Sequence, residues 1–285
     1  MKAEKRKRKF LRPRRIVLLM FLAAGLLLGG WGLWSYHGPA PEREIFQGIT
    51  YGCERLPETE QSGGLMHWAR ADLNVPGVEL WVTPLDATAQ ERGLEYRLQH
   101  TSAVVREYGL AIAVNATLFS SDSGWIRMPG DIAMSAETVV CDHVVNHVDP
   151  NTYLLWWDDQ NIAHLELTKP PSAAVLAKAK WAIGAEGPLL HPGFAWNETT
   201  TNWRTAIGAD PQRKLVWVVC FDKASLTFVS RALARLGATI GVGVDGGSSM
   251  AMVIGSGAKN VRPGTVTGNW RPVATQFGFK ARALR

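Results

Sequence analysis

Apolar positions along this chain recur in three different patterns. The first is continuous: residues 16–34, IVLLMFLAAGLLLGGWGLW, hold 19 positions without a charge. As a helix rising about 1.5 Å per residue, that run matches a hydrocarbon core roughly 30 Å thick. Short apolar or alternating runs then predict strands at 80–83, 110–115, 139–145, 153–157, 162–167, 205–208, 214–221, 238–245 and 273–279. Helical spacing appears at 88–108, where Leu94, Leu98, Val104 and Val105 sit among charged residues, and again at 172–180 and 225–236. The order strand, helix, strand over 214–245 predicts a crossover unit. Many strands with few helices predict an α+β fold: a single mixed α/β domain with a mainly β core, preceded by one transmembrane helix. Residues 37–64 are rich in Pro, Glu and Gly and read as a linker. The expected organisation is a basic cytoplasmic tail at 1–15, an anchor at 16–36, a linker at 37–64 and a folded body at 65–285.

Charge sharpens this picture. The chain of 285 residues has a formal net charge of +6, yet residues 1–15 alone contribute +8, from nine Lys or Arg and one Glu, so everything after them sums to −2. The excess is a juxtamembrane cluster, and the body offers no basic surface for nucleic acid. A basic flank stays cytoplasmic, and Trp31, Trp34 and Tyr36 suit the opposite interface, which puts the body outside the cytoplasm, and in the periplasm if the cell is Gram-negative. A cleaved signal is the competing reading, but its small-residue pair, Gly38 and Ala40, is followed by Pro41, and the apolar run is long for such a segment.

Three cysteines leave at least one unpaired: Cys53 and Cys141 are a candidate bridge, three free thiols the alternative, and Cys220 falls inside a buried-looking strand. His143 and His147 follow Cys141 with the look of a metal site. On a strand, however, positions four apart lie roughly 13 Å from each other, too far for one ion, and no metal is expected.

Three predicted strands end in polar segments. The strand at 238–244 runs into Asp245-Gly246-Gly247-Ser248-Ser249, whose glycines permit close backbone approach and whose amides and hydroxyls suit an anionic oxygen, although Asp-Gly is also a turn signal. Arg204 begins Arg204-Thr205-Ala206-Ile207-Gly208; its planar fork suits phosphate or carboxylate, and Trp196 and Trp203 flank it. Asn115 closes the third strand and leads into Ala116-Thr117-Leu118-Phe119. Gly246-Gly247-Ser248-Ser249-Met250 lacks the last glycine of a serine-hydrolase nucleophile elbow.

In this order, with Gly187-Pro188-Leu189 before Arg204 and Arg271-Pro272-Val273 at the end, the segments resemble the phosphodiester glycosidase family over roughly 80–279. That family has two glycines after the Asn, where this chain has Ala116 and Thr117, a change expected to narrow the pocket or alter its substrate. The resemblance implies hydrolysis of a sugar 1-phosphodiester to free sugar and a phosphomonoester, without a cofactor, on cell-surface or exopolysaccharide material. Its alternative is a noncatalytic glycan-binding or exopolysaccharide-assembly protein. Glycosidic cleavage passes through an oxocarbenium-like state and calls for a carboxylate, either Asp245 or Glu186. The departing phosphate needs charge stabilisation more than a strong acid. Arg204, Thr205, Gly246, Gly247 and Ser248 are the candidates to surround it, and Asn115 to bind a sugar hydroxyl or the phosphate.

Overall fold

The computed structural model describes residues 38–123, 126–194 and 196–285, and among them twenty strands, four α-helices and one turn of 3-10 helix at Gly247–Ser249. The basic tail and the expected anchor at 16–36 lie outside the described residues. Among the described residues, no helix is long and apolar enough to cross a membrane.

A seven-stranded sheet has the order β1 (Ala40–Phe46), β2 (Ile49–Arg55), β3 (Ser62–Asp72), β16 (Leu215–Ala224), β15 (Asn202–Asp210), β17 (Ile240–Val244), β14 (Pro188–Leu190). One five-stranded sheet is ordered β10 (Val144–His147), β9 (Val139–Cys141), β13 (Trp181–Ala185), β11 (Tyr153–Trp157), β12 (Ala163–Glu166). The other is β19 (Gly264–Gly268), β18 (Ala251–Ile254), β6 (Ile112–Asn115), β20 (Gln276–Lys280), β4 (Glu79–Val82). A small sheet joins β5 (Tyr96–Arg97), β8 (Ile132–Ser135) and β7 (Phe119–Ser121). The helices are α1 (Ala87–Glu91), α2 (Thr101–Tyr108), α3 (Ala173–Lys178) and α4 (Leu226–Leu236).

One core joins the three large sheets. Val216, Val218 and Cys220 of β16 face it together with Ile112 and Val114 of β6, Phe277 and Phe279 of β20, and Leu155 and Trp157 of β11. The alternate residues Trp217, Val219 and Phe221 point to the opposite face, where Val229, Ala232 and Leu233 of α4 cover them. Burial on both faces explains why 214–221 reads as a continuous apolar run rather than an alternating one. Ser225 caps α4 by accepting from the Phe228 amide at 3.1 Å, and Gly237 ends it at φ +102°. The expected crossover is present as β16, α4 and β17, with β15 between the two strands and antiparallel to both. Val104 and Val105 of α2 cover the outer face of the β6 sheet, and Val175 and Leu176 of α3 that of the β11 sheet.

Three expectations differ from the structure. Most of the expected linker, 37–64, is folded: β1 and β2 extend the seven-stranded sheet, and Ile45, Ile49, Tyr51 and Cys53 enter the main core. Loop-like composition misled there, because an edge strand tolerates Pro and charge on its open side. The single helix expected at 88–108 divides into α1, β5 and α2: Gly93 turns the chain at φ +73°, and Tyr96 and Leu98, two apart, are both buried with Arg97 exposed between them, the period of a strand. The run 139–145 is a hairpin, because Asp142 and His143 at φ +46° and +66° make the left-handed two-residue turn between β9 and β10.

No disulfide joins Cys53, Cys141 or Cys220 among the described residues, so the candidate Cys53–Cys141 bridge is not formed. Burial pushes each thiol up to about 12 and keeps it un-ionised. His143 bonds Asp159 at 2.9 Å while His147 bonds Glu95 at 2.6 Å, two separate partners. His37–Arg285 forms one compact unit.

Candidate active site

A cleft of about 530 Å³ opens where the ends of β15 and β17 meet the loops before β14 and β9. Leu189, Trp196, Leu226 and Val229 form its apolar wall. The expected residues Glu186, Arg204, Thr205, Asp245, Gly246 and Gly247 line it, and so does Glu137, which no motif singled out. Ser248 is exposed and Asn115 buried; neither is on the cleft wall.

Asn115 has a different occupation from the ligand role expected of it. Its amide donates to the Asp245 carbonyl, while its oxygen accepts from Thr205 Oγ1 at 2.8 Å and from the Ala251 amide at 3.0 Å. Every contact ties β6 to the ends of β15 and β17 and to the start of β18, so Asn115 positions the Asp245 loop. The two positions after it are likewise turned inward. The Ala116 amide donates to the Thr275 carbonyl at 3.0 Å, and the Thr117 amide to Thr275 Oγ1 at 2.9 Å. Thr117 Oγ1 also reaches Ser135 Oγ at 2.9 Å. Ala116 and Thr117 are both buried and off the cleft wall, so replacing glycines there does not narrow it.

The glycines of the Asp245 loop serve its packing. A side chain on Gly246 would stand 2.5 Å from the Trp203 carbonyl, and Gly247 sits at φ +56°. The Gly246 amide acts to lower the pKa of the Asp245 carboxylate.

Asp245 is nearly buried, and burial raises its pKa above the ordinary carboxylate value; Ser249, Arg271 and the Gly246 amide counter that shift. Arg271 Nη2 lies 3.7 Å from Asp245 Oδ2, and Arg271 Nε donates to Ser249 Oγ at 2.9 Å. Glu137 is more extreme. Burial raises it to about 8, with Glu186 and Asp245 adding to the shift and the Leu118 amide, which donates to its Oε2 at 2.9 Å, opposing it. At neutral pH Glu137 is a carboxylic acid. Glu186 is exposed at the rim.

Arg204, expected to hold phosphate, is already engaged. Its Nη2 lies 3.7 Å from Glu198 Oε2, and it donates to the Thr200 and Ala224 carbonyls at 3.3 and 3.4 Å. Glu198 in turn accepts the Leu226 amide at the start of α4 at 3.0 Å. Trp196 is anchored by its indole N–H on the Pro188 carbonyl at 2.7 Å, and Trp203 is 42% exposed.

Sequence reasoning thus passed over Glu137, although it is an acid immediately before an apolar strand. It also passed over the ligand potential of Arg271, although the Arg-Pro-Val segment was in view.

No curated protein sequence matches this chain. Among solved structures, the catalytic domain of zebrafish N-acetylglucosamine-1-phosphodiester alpha-N-acetylglucosaminidase, auto-inhibited by its pro-peptide, aligns with a TM-score of 0.61. That alignment has 14% identity and covers 87% of this chain and 86% of that one. A hypothetical protein from Synechocystis aligns with a TM-score of 0.51 and 15% identity, over 85% of this chain and 64% of that one. At such identities the likeness is one of fold. The sequence profile of the phosphodiester glycosidases matches residues 108–280, a span that includes Asn115, Glu137, Glu186, Arg204, Asp245 and Arg271, and this chain belongs to the phosphodiester glycosidase family.

Proposed function

We propose that this protein hydrolyses a sugar 1-phosphodiester to free sugar and a phosphomonoester. In this reading it is a single-pass membrane-anchored enzyme whose body acts outside the cytoplasm, on cell-surface or exopolysaccharide material. The convergence of Glu137, Glu186 and Asp245 on one cleft, in a chain of this family, carries the chemical part. The charge and apolar pattern of residues 1–36 supports the location.

The three carboxyl groups differ in environment, and the difference assigns their roles. Asp245, fixed by Ser249, the Gly246 amide and Arg271, faces the anomeric carbon and stabilises the positive charge that develops there. Glu186 at the exposed rim takes the proton of the attacking water, whose hydroxyl joins C1. The electron pair of the breaking C1–O bond leaves with the phosphomonoester. Glu137, protonated, donates a hydrogen bond to a sugar hydroxyl. The apolar wall of Trp196, Leu189 and Val229 accepts the sugar's C–H face.

The test is to incubate the detergent-solubilised full chain with the phenyl phosphodiester of N-acetylglucosamine and follow free sugar. Turnover is expected, and Asp245→Asn should lower it roughly a thousandfold with the melting temperature retained. Full turnover in D245N removes Asp245 from the mechanism. Binding without release overturns the hydrolase reading and leaves a glycan-binding protein.

A further inference from the structure

The cleft is electrostatically one-sided. The carboxylates Glu186 and Asp245 line it beside the protonated Glu137, and Arg204, the one arginine among its described lining residues, is paired with Glu198. A sugar, or the cationic transition state formed from it, suits such a wall; a phosphate does not. Positive charge gathers elsewhere around Asp245. The Arg127 guanidinium lies 4.6 Å from the centre of the Phe119 ring, and that of Arg271 lies 5.5 Å from the same centre. One aromatic ring therefore holds two cations, each attracted to its electron-rich face.

Among the described residues these two charges are only partly balanced. Arg271 is 3.7 Å from Asp245 and bonded to Ser249, whereas Arg127 makes no ion pair among the described residues. Each arginine also acts on the field at Asp245; burial lowers the pKa of Arg271, Asp245 opposes that shift, and Arg127 adds to it as a neighbouring like charge does. Two guanidiniums and one carboxylate leave one positive charge over, which a phosphodiester monoanion matches. Both guanidiniums present planar forks of N–H donors, the geometry that binds phosphate oxygens in pairs.

We propose that the phosphate of the substrate binds between Arg127 and Arg271 beside the Phe119 ring, with the sugar in the acidic cleft and Asp245 at the junction, and that Arg204 is not its ligand. What the bound phosphate belongs to rests on the hydrolase reading above; the anion site itself does not. When the C1–O bond breaks and its electron pair goes to the departing oxygen, the phosphate charge rises from one negative to two. The arginine pair then binds the leaving group more strongly than it bound the ground state, which is where a charge clamp accelerates a reaction.

The proposal is tested on the detergent-solubilised full chain by calorimetric titration with phenyl phosphate, which carries the phosphomonoester of the product. Saturable binding that weakens as salt rises is expected. Arg127→Met should weaken it roughly tenfold or more. Arg271→Met should weaken it at least as much, while Arg235→Gln, at the surface pair with Glu54, leaves it unchanged. R127M is the deciding variant because Arg127 makes no ion pair among the described residues. The parallel readout is the preference for the phenyl phosphodiester of N-acetylglucosamine over its uncharged phenyl glycoside, which R127M should reduce. No binding by the wild type, or undiminished binding by R127M, overturns the proposal. Arg127-dependent binding of phenyl phosphate without turnover keeps the anion site and removes the hydrolase reading. Turnover with an unchanged diester preference in R127M does the reverse.

Discussion

Arg204 and Arg271 stand at two corners of the same site, carry the same functional group, and are held differently. Arg204 faces Glu198 and two backbone carbonyls, and through Glu198 it is linked to the first turn of α4. Arg271 faces Asp245 and Ser249, with a second guanidinium, Arg127, over the same aromatic ring. At the first corner the positive charge is neutralised within the structure, and the arginine braces a helix start. At the second it is in excess, and the arginine is available to an anion. A guanidinium's role follows from what already surrounds it, so a motif containing an arginine locates a corner of a site without saying what the arginine does there.

The strongest way to break this contrast is to cut the link between the corners. Asn115 bonds both the Asp245 carbonyl and Thr205, next to Arg204. Asn115→Ala should cost about 3 kcal/mol of stability, since its partners are left buried and unpaired. It should lower kcat more than it raises KM, because the cleft persists while Asp245 loses its register. Thermal denaturation and steady-state kinetics check both; an unchanged melting temperature would remove the positioning role.

Glu137→Gln sharpens the contrast between the acidic wall and the basic corner. The Glu137 pKa is raised from 4.5 to about 8 on folding. Below the lower value both states hold the proton. Between the two the unfolded chain releases it while the folded chain keeps it, so stability falls as pH rises and levels off above about 8. Removing the carboxyl removes that slope, so the melting temperature of E137Q should gain on the wild type from pH 5 to pH 8, roughly a window of those three units. Parallel curves would place the titration elsewhere.

The smallest effect belongs to the neutralised corner. Arg204→Gln should cost about 1 kcal/mol of stability, the range of a partly exposed ion pair, and should weaken phenyl phosphate binding less than R271M does. The reverse ranking would restore Arg204 as the phosphate ligand.

Much of the scaffold was legible because it is written in local periodicity. Residues 153–157 form a strand within the expected limits, and α4 begins at its serine cap and ends at Gly237, because capping and apolar spacing are properties of a few consecutive residues. Where the reading failed, the deciding partner was remote. β1 and β2 are strands because β3 lies beside β2, β2 beside β1, and the core accepts Ile45 and Ile49. β5 is a strand because β8 pairs with Tyr96.

The site divides along the same line. By itself the sequence determined which chemistry was at hand: an acid before two glycines at Asp245, a second acid at Glu186, arginines beside apolar strands, and the motif order of the family. These are choices of residue type and spacing, open to inspection without a fold. Only the tertiary structure decided that Asn115 is a brace, that Arg204 is spent on Glu198, and that Glu137 joins Asp245 and Glu186 in one cleft. Burial, charge balance and hydrogen-bond partnership belong to groups brought together from distant parts of the chain, and they set what an ionisable side chain does.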